Sequence, residues 1–304
     1  MQMKHYYKYI ILIAAALTFV ACKSNNSDGE LNDSQKLELL DIKLEKTPND
    51  AALLAERARI LLNLGRAKDA VYDANRAVDL KPDKVEYRML QADACFANGN
   101  ADDSYKALTE AERLDPDNTE VHLKMGEITF YSRDYERSLR CLTKVTEKEP
   151  DNRTALFMKG FIYKERGDTA EAVILLRKVC DLYPDYEPAF EELGVLYATR
   201  QNPMAQEYLT TALTLEPNNT NAMYALAMYH QDRQEMDEAE GLYRRMLDVN
   251  SNSADAWHNL GYIELTFYHD YARAITYFDS ALASDPSHQA ALQNRQLAEE
   301  MLKQ

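Results

Sequence analysis

The sequence predicts an all-α chain, a one-dimensional stack of seven helix pairs. Three observations carry this. Pro48, Pro82, Pro116, Pro150 and Pro184 follow one another at steps of 34, Pro217 comes 33 later, and Pro286 stands 35 beyond Ser251, which holds the intervening place. With that proline as position 32, position 8 is always small: Ala58, Ala92, Gly126, Gly160, Gly194, Ala227 and Gly261. Position 20 is small as well, being Ala70, Ser104, Ser138, Ala172, Ala205, Ala239 and Ala274. Small residues on both members of a pair let two helices pack at short axial distance. A period of this length identifies a repeat array, in which each unit contacts its neighbours.

The stretch at residues 254–286, ADAWHNLGYIELTFYHDYARAITYFDSALASDP, carries the pattern most fully. Trp257, Leu260 and Gly261 are followed by Ala274, Phe278, Ala281 and Pro286. That order and spacing resemble the tetratricopeptide repeat, a helix–turn–helix unit of about 34 residues. The resemblance implies a superhelical solenoid of seven such repeats over residues 51–286, with a capping half-repeat at each end.

Taken in order, residues 1–21 read as a signal peptide. Lys4 and Lys8 open it, and the apolar stretch through Val20 is about 13 residues, short of the ~20 that span a bilayer. Phe19-Val20-Ala21-Cys22 resembles a bacterial lipoprotein processing site, with Phe where Leu is usual. The resemblance implies that Cys22 becomes the lipid-bearing N-terminus; an ordinary secretory signal is the alternative. Residues 22–33 are polar and read as a flexible tether. Lys23 in place of Asp resembles an outer-membrane sorting signal, and Asp28 with Glu30 loosely resembles a surface-export tag.

Residues 34–50 follow as an N-terminal capping half-repeat, helical by Leu37, Leu40 and Leu44. In repeats one to three, Arg57, Gln91 and Met125 occupy the usual Leu position. The fifth repeat has its turn shortened by one residue, at Pro203. Residues 287–304 form a C-terminal capping helix, because Arg295 and Gln296 stand where a repeat places Leu and Gly.

The net charge of −15 argues against nucleic-acid binding, which needs lysine and arginine to displace counterions. The histidines are scattered with no ligand spacing, so no metal or other cofactor is expected. Neither a nucleophile elbow nor a phosphate-cradling glycine loop occurs, and the chain is read as a non-enzyme. Cys95, Cys141 and Cys180 show no CxxC spacing and read as buried, reduced apolar fillers.

Function is therefore expected on the surface that such repeats present, the concave face of the first helices. Its positions are roughly 2, 5, 9 and 13 of each repeat, and they carry eight carboxylates against one arginine, Arg59. The candidate peptide groove comprises Glu120, Glu127, Tyr131, Phe157, Phe161, Glu165, Tyr224, Met228, Asp232, His258 and Tyr262. Aromatics on such a wall anchor inserted side chains, and the carboxylates favour basic segments with apolar neighbours. The expected protein is an adaptor or scaffold that binds other proteins, held to the outer membrane of a bacterial envelope by its lipid, at the periplasmic face or the cell surface. The alternative is a structural subunit of an outer-membrane assembly, secretion or pilus-biogenesis machine, or a scaffold recruiting peptidoglycan enzymes.

Overall fold

The computed structural model describes residues 31–303, which divide into two compact units between Ala155 and Leu156. The expected signal peptide, Cys22 and the tether as far as residue 30 lie outside the described residues. In the first unit, α1 (Asp33–Lys46) precedes three pairs: α2 (Ala51–Asn63) with α3 (Ala67–Leu80), α4 (Val85–Ala97) with α5 (Ala101–Leu114), and α6 (Thr119–Tyr131) with α7 (Tyr135–Lys148). Helices α8 (Arg153–Arg166) and α9 (Thr169–Leu182) follow, and then α10 (Glu187–Ala198) with α11 (Met204–Leu215) and α12 (Thr220–Asp232) with α13 (Met236–Val249). The last pair is α14 (Ala254–Ile263) with α15 (Tyr271–Ser284), and α16 (Gln289–Leu302) ends the chain. The described residues contain no strand, and none of their helices is long and apolar enough to cross a membrane.

The small residues at position 8 mark close crossings. A Cβ added to Gly126 would stand 2.7 Å from Leu142, and one on Gly261 2.7 Å from Phe278. The residue filling the space is at position 24, four beyond the small position 20. Position 20 has its own task where it is serine: Ser104 Oγ donates to the Ala92 carbonyl at 2.7 Å, and Ser138 Oγ to that of Gly126 at 2.8 Å. A buried hydroxyl so placed loses no hydrogen bond on leaving water.

Six of the seven turns between paired helices are closed in one way. In the first, Gly65 N–H donates to Leu62 and Arg66 N–H to Leu61, a pairing that satisfies two of the last carbonyls of the helix. The residue at the bend is left-handed in all seven repeats, as Gly65, Gly99, Arg133, Gly167, Gln201, Gln234 and His269. Four of these carry a Cβ in a region that costs roughly 1–2 kcal/mol to a non-glycine residue.

Repeat seven holds one residue more than its siblings between the small positions, and the structure shows where it goes. Glu264–Tyr268 forms a π turn, and the closing bond runs from Asp270 N–H to Glu264, six residues back instead of five. Single π turns of this kind accommodate one extra residue inside a helix. Helix α15 then resumes in register, with Ala274, Phe278 and Ala281 all buried.

The polar residues at position 7 have partners. Arg57 donates to the buried Asp73 at 2.6 and 2.8 Å and to Asp41 at 2.7 Å. Gln91 Nε2 donates to Asn75 at 2.8 Å. The ionised Arg57 is favoured chiefly by its hydrogen bond to Asp73, against burial. Helix α1 starts at Asp33, one residue before the expected half-repeat, because Asn32 and Gln35 exchange side-chain and backbone bonds as a capping box.

Candidate functional site

The first helices of successive pairs also touch one another, as α2 and α4 do in the first unit and α10 and α12 in the second. In the first unit this face encloses a cavity of about 1170 Å³. Glu120, Glu127 and Tyr131 line it, with Arg59, Glu86 and Asp93 at the corresponding places of earlier repeats. Val85, Met89, Phe96 and Ile128 supply its apolar wall, and the rings of Phe96 and Tyr131 lie 5.7 Å apart.

Lys124 is the residue that the sequence reading missed. It lies at position 6, one place outside the concave set, yet it lines the cavity and donates to Asp93 at 2.7 Å. Burial pulls its ammonium down, but the charge and hydrogen bond of Asp93 outweigh this and hold its pKa above the ordinary lysine value. Glu127 is placed differently. Its carboxyl is pushed up to about 7 by burial, against the pull of Lys124 and with further push from Asp93 and Glu120. The lining still holds five carboxylates, Asp115 included, against two cations.

The second unit corrects part of the expected groove. Phe157 and Phe161 are 3% and 5% exposed, so they are packing residues and not open anchors. Phe157 meets Tyr186 edge to face at 5.3 Å, and the Lys164 ammonium sits 4.6 Å over the Phe161 ring. Lys164 also pairs with the buried carboxylate of Glu192, a second cation that positions 2, 5, 9 and 13 leave out. Glu191, counted among the concave carboxylates, is buried and accepts from Asn219 Nδ2 at 2.5 Å. Asn219 Oδ1 meanwhile caps α12 through the N–H groups of Asn221 and Ala222. Glu165 is exposed, 3.7 Å from Lys164. Asp232 is exposed and accepts from Gln201 at 2.7 Å, while Met228 Sδ accepts from the buried Tyr243 hydroxyl at 3.2 Å.

Nearer the C-terminus, Tyr224 and His258 are half-buried and Tyr262 is exposed. His258 stands 6.4 Å from Tyr262 by ring centroids and 4.9 Å from His288. The two histidines, scattered in sequence, thus come together, because position 5 of one helix faces the cap of the next. Asn294 Nδ2 bonds His258 Nε2 at 3.0 Å, and burial together with His288 lowers the His258 pKa. No group of three or more metal-ligating side chains occurs among the described residues.

Cys95, Cys141 and Cys180 are free; Cys95 and Cys180 are buried, whereas Cys141 is only half-buried. Burial pushes the Cys180 thiol up to about 12, so it is an inert filler at neutral pH.

A family model described as tetratricopeptide repeat matches residues 55–119, 123–187, 195–256 and 224–288. No curated protein sequence matches the chain. Among solved structures, the C-terminal part of a TPR repeat-containing protein from Cytophaga hutchinsonii is similar at 16% identity and TM-score 0.64, over 79% of this chain and 98% of that one. YrrB, described as a TPR protein with an unusual peptide-binding site, is 20% identical with TM-score 0.52, over 62% of this chain and 98% of its own. Yeast Tom70 is 19% identical with TM-score 0.53, over 88% of this chain and 59% of its own. At these identities the likeness concerns the fold.

Proposed function

The chain belongs to the tetratricopeptide repeat family, and from that premise we propose that it is a protein-interaction scaffold which holds segments of other proteins against the first helices of its repeats. The observation that carries the reading is the cavity of about 1170 Å³ in the first unit, walled by one face of three successive first helices. Its size is above that of most small-molecule sites, and its wall alternates apolar and charged groups along a line of helices. An extended segment fits such a wall, with apolar side chains against Met89, Phe96 and Ile128 and basic ones toward the carboxylates. The likeness to YrrB, described as having a peptide-binding site, supports the reading. The His258 and Tyr262 pair, with Tyr224 against the adjoining Asn259, offers a second contact surface in the other unit.

Within the same proposal, Cys22 carries lipid and holds the scaffold to the outer membrane of a bacterial envelope. The short apolar run ending at Ala21-Cys22 supports this.

A photo-crosslinking residue placed at Glu86, in native membranes, tests the groove. It is expected to capture a discrete protein partner, whereas the same label at Lys106, 75% exposed on a second helix, captures none. Capture from Lys106 but not from Glu86 would move the binding surface to the second helices and overturn the reading.

A further inference from the structure

We infer that the cavity of the first unit seats one lysine or arginine side chain of its bound segment on the carboxylate of Glu127, and that seating this cation drives a proton off that carboxyl. The inference rests on the groove reading above and goes further, naming the group that is recognised and a chemical condition on its capture.

Three features of the cavity converge. Glu127 lines it, is half-buried, and its carboxyl group takes no hydrogen bond from another side chain among the described residues. The nearby Lys124 attracts Glu127 by its charge but directs its ammonium hydrogen bond to Asp93, at 2.7 Å. Asp115, the other inner carboxylate, accepts from Asn118 Nδ2 at 3.0 Å. Glu127 is therefore a half-buried acceptor open to a donor that enters the cavity, in a wall whose apolar parts suit the methylenes of a long basic side chain.

The charges facing Glu127 set the condition. On its own helix these are Lys124 and Glu120, and from α4 it is Asp93. Arg59, Glu86 and Asp115 complete the charged lining. Burial with two neighbouring carboxylates keeps the Glu127 carboxyl protonated up to about pH 7. An entering ammonium or guanidinium reverses the balance. The carboxyl O–H bond breaks, its proton passes to solvent, and a charge-assisted hydrogen bond forms in its place. The free carboxyl is half ionised near pH 7, and only its ionised form pairs with the cation. The affinity is therefore expected to rise about tenfold between pH 6 and pH 8.

A positional-scanning library of acetylated, amidated nonapeptides, screened on the full-length chain, supplies the probe. The expected selection shows one position fixed as lysine or arginine beside apolar residues. Titration calorimetry of the best peptide should give the tenfold rise, with proton release at pH 7 seen as a heat that differs between phosphate and Tris buffers. Its analogue with norleucine for the basic residue should bind more weakly and without that rise, and so should the parent peptide to Glu127→Gln. Circular dichroism reports whether the variant is folded; if it is not, the norleucine analogue on the unaltered protein still decides. A best peptide lacking a cation, or one whose affinity is flat with pH, overturns this inference and leaves the groove reading intact. A library in which nothing binds overturns both.

Discussion

Arg295 Nε donates to Asp279 at 2.5 Å across sixteen residues, and Arg57 reaches Asp41 at 2.7 Å over the same separation. Gln91 and Asn75 repeat the contact at 2.8 Å, again sixteen apart. A polar residue at position 7 thus finds a polar partner at position 25 of the preceding unit. Two of these bonds join a terminal helix to the array, at α1 and at α16. There the stack meets solvent, and charge serves better than another leucine.

Arg57 also shows why the family's usual residue is not always the stabilising one. Arg57→Leu restores the common leucine but strands Asp73, 1% exposed, without its guanidinium. We expect a loss of about 3 kcal/mol in a urea melt. The double variant Arg57→Leu with Asp73→Leu should regain most of it. Equal stability of the single variant and the parent would show that the buried ion pair contributes nothing.

At the close crossings, Gly194→Ala should destabilise. The new Cβ would lie 2.7 Å from Leu209 Cγ and 3.0 Å from its backbone nitrogen, so α11 has to move. Overpacking of this kind costs about 1–3 kcal/mol. Gly241→Ala is the control, since a Cβ there meets nothing within 4 Å. Thermal midpoints that fall alike in both would place the effect elsewhere.

The left-handed turn position gives the opposite sign. Gln234 sits at φ 62° where Gly99 of an earlier repeat sits at φ 81°. Gln234→Gly is expected to stabilise by about 1 kcal/mol, and Gly99→Ala to destabilise by about as much. Chemical denaturation with unchanged slope would measure both, and a loss of stability in Gln234→Gly would contradict the strain argument.

For Glu127 the dependence on pH follows from a carboxyl pushed up to about 7 in the folded chain. Between the ordinary carboxylate range and that value, the folded state binds more protons than the unfolded one. The stability contributed by this group is therefore full at low pH and is lost as pH rises through 7. Glu127→Gln, which cannot ionise, should raise the thermal midpoint at pH 8 and change it little near pH 4. A variant that is less stable than the parent at pH 8 would mean that the ionised carboxylate is well solvated.

Cys22→Ala tests the anchor. The full-length variant should leave the membrane fraction for the soluble one after a high-salt wash, with no loss of helical signal. Retention in the membrane would show that lipid on Cys22 is not what holds the chain there.

The array was legible because its signals are local and recur. Period, turn and close crossing are fixed by residue size and by proline, and these survive in a single sequence. The site was less legible, for reasons visible at particular residues. Phe157 and Phe161 fall at nominal concave positions, yet they close against Tyr186 and Lys164, contacts no linear spacing encodes. Lys124 and Lys164 went uncounted because a long side chain reaches the face from positions 6 and 12. The meeting of His258 with His288 depends on how one helix start faces another. Glu127 could be placed on the wall from its position, but its raised pKa is a property of its neighbours.

The π turn at Glu264–Tyr268 has a consequence for how this chain can change in length. One residue inserted in the middle of an α-helix rotates everything after it by about 100°, turning a core stripe toward water. Here the addition is absorbed before the helix ends, and Phe278 still packs against Gly261. The fifth repeat makes the reverse adjustment in the same region, one residue short, with Gly194 still against Leu209. The bend between paired helices is thus a slip joint that takes up an added or a missing residue while the crossings on either side keep their register. Reporter residues or short tags spliced into the bends, for example after Gly65 or Gly99, should leave the array folded, whereas the same insertion within α11 or α15 should not.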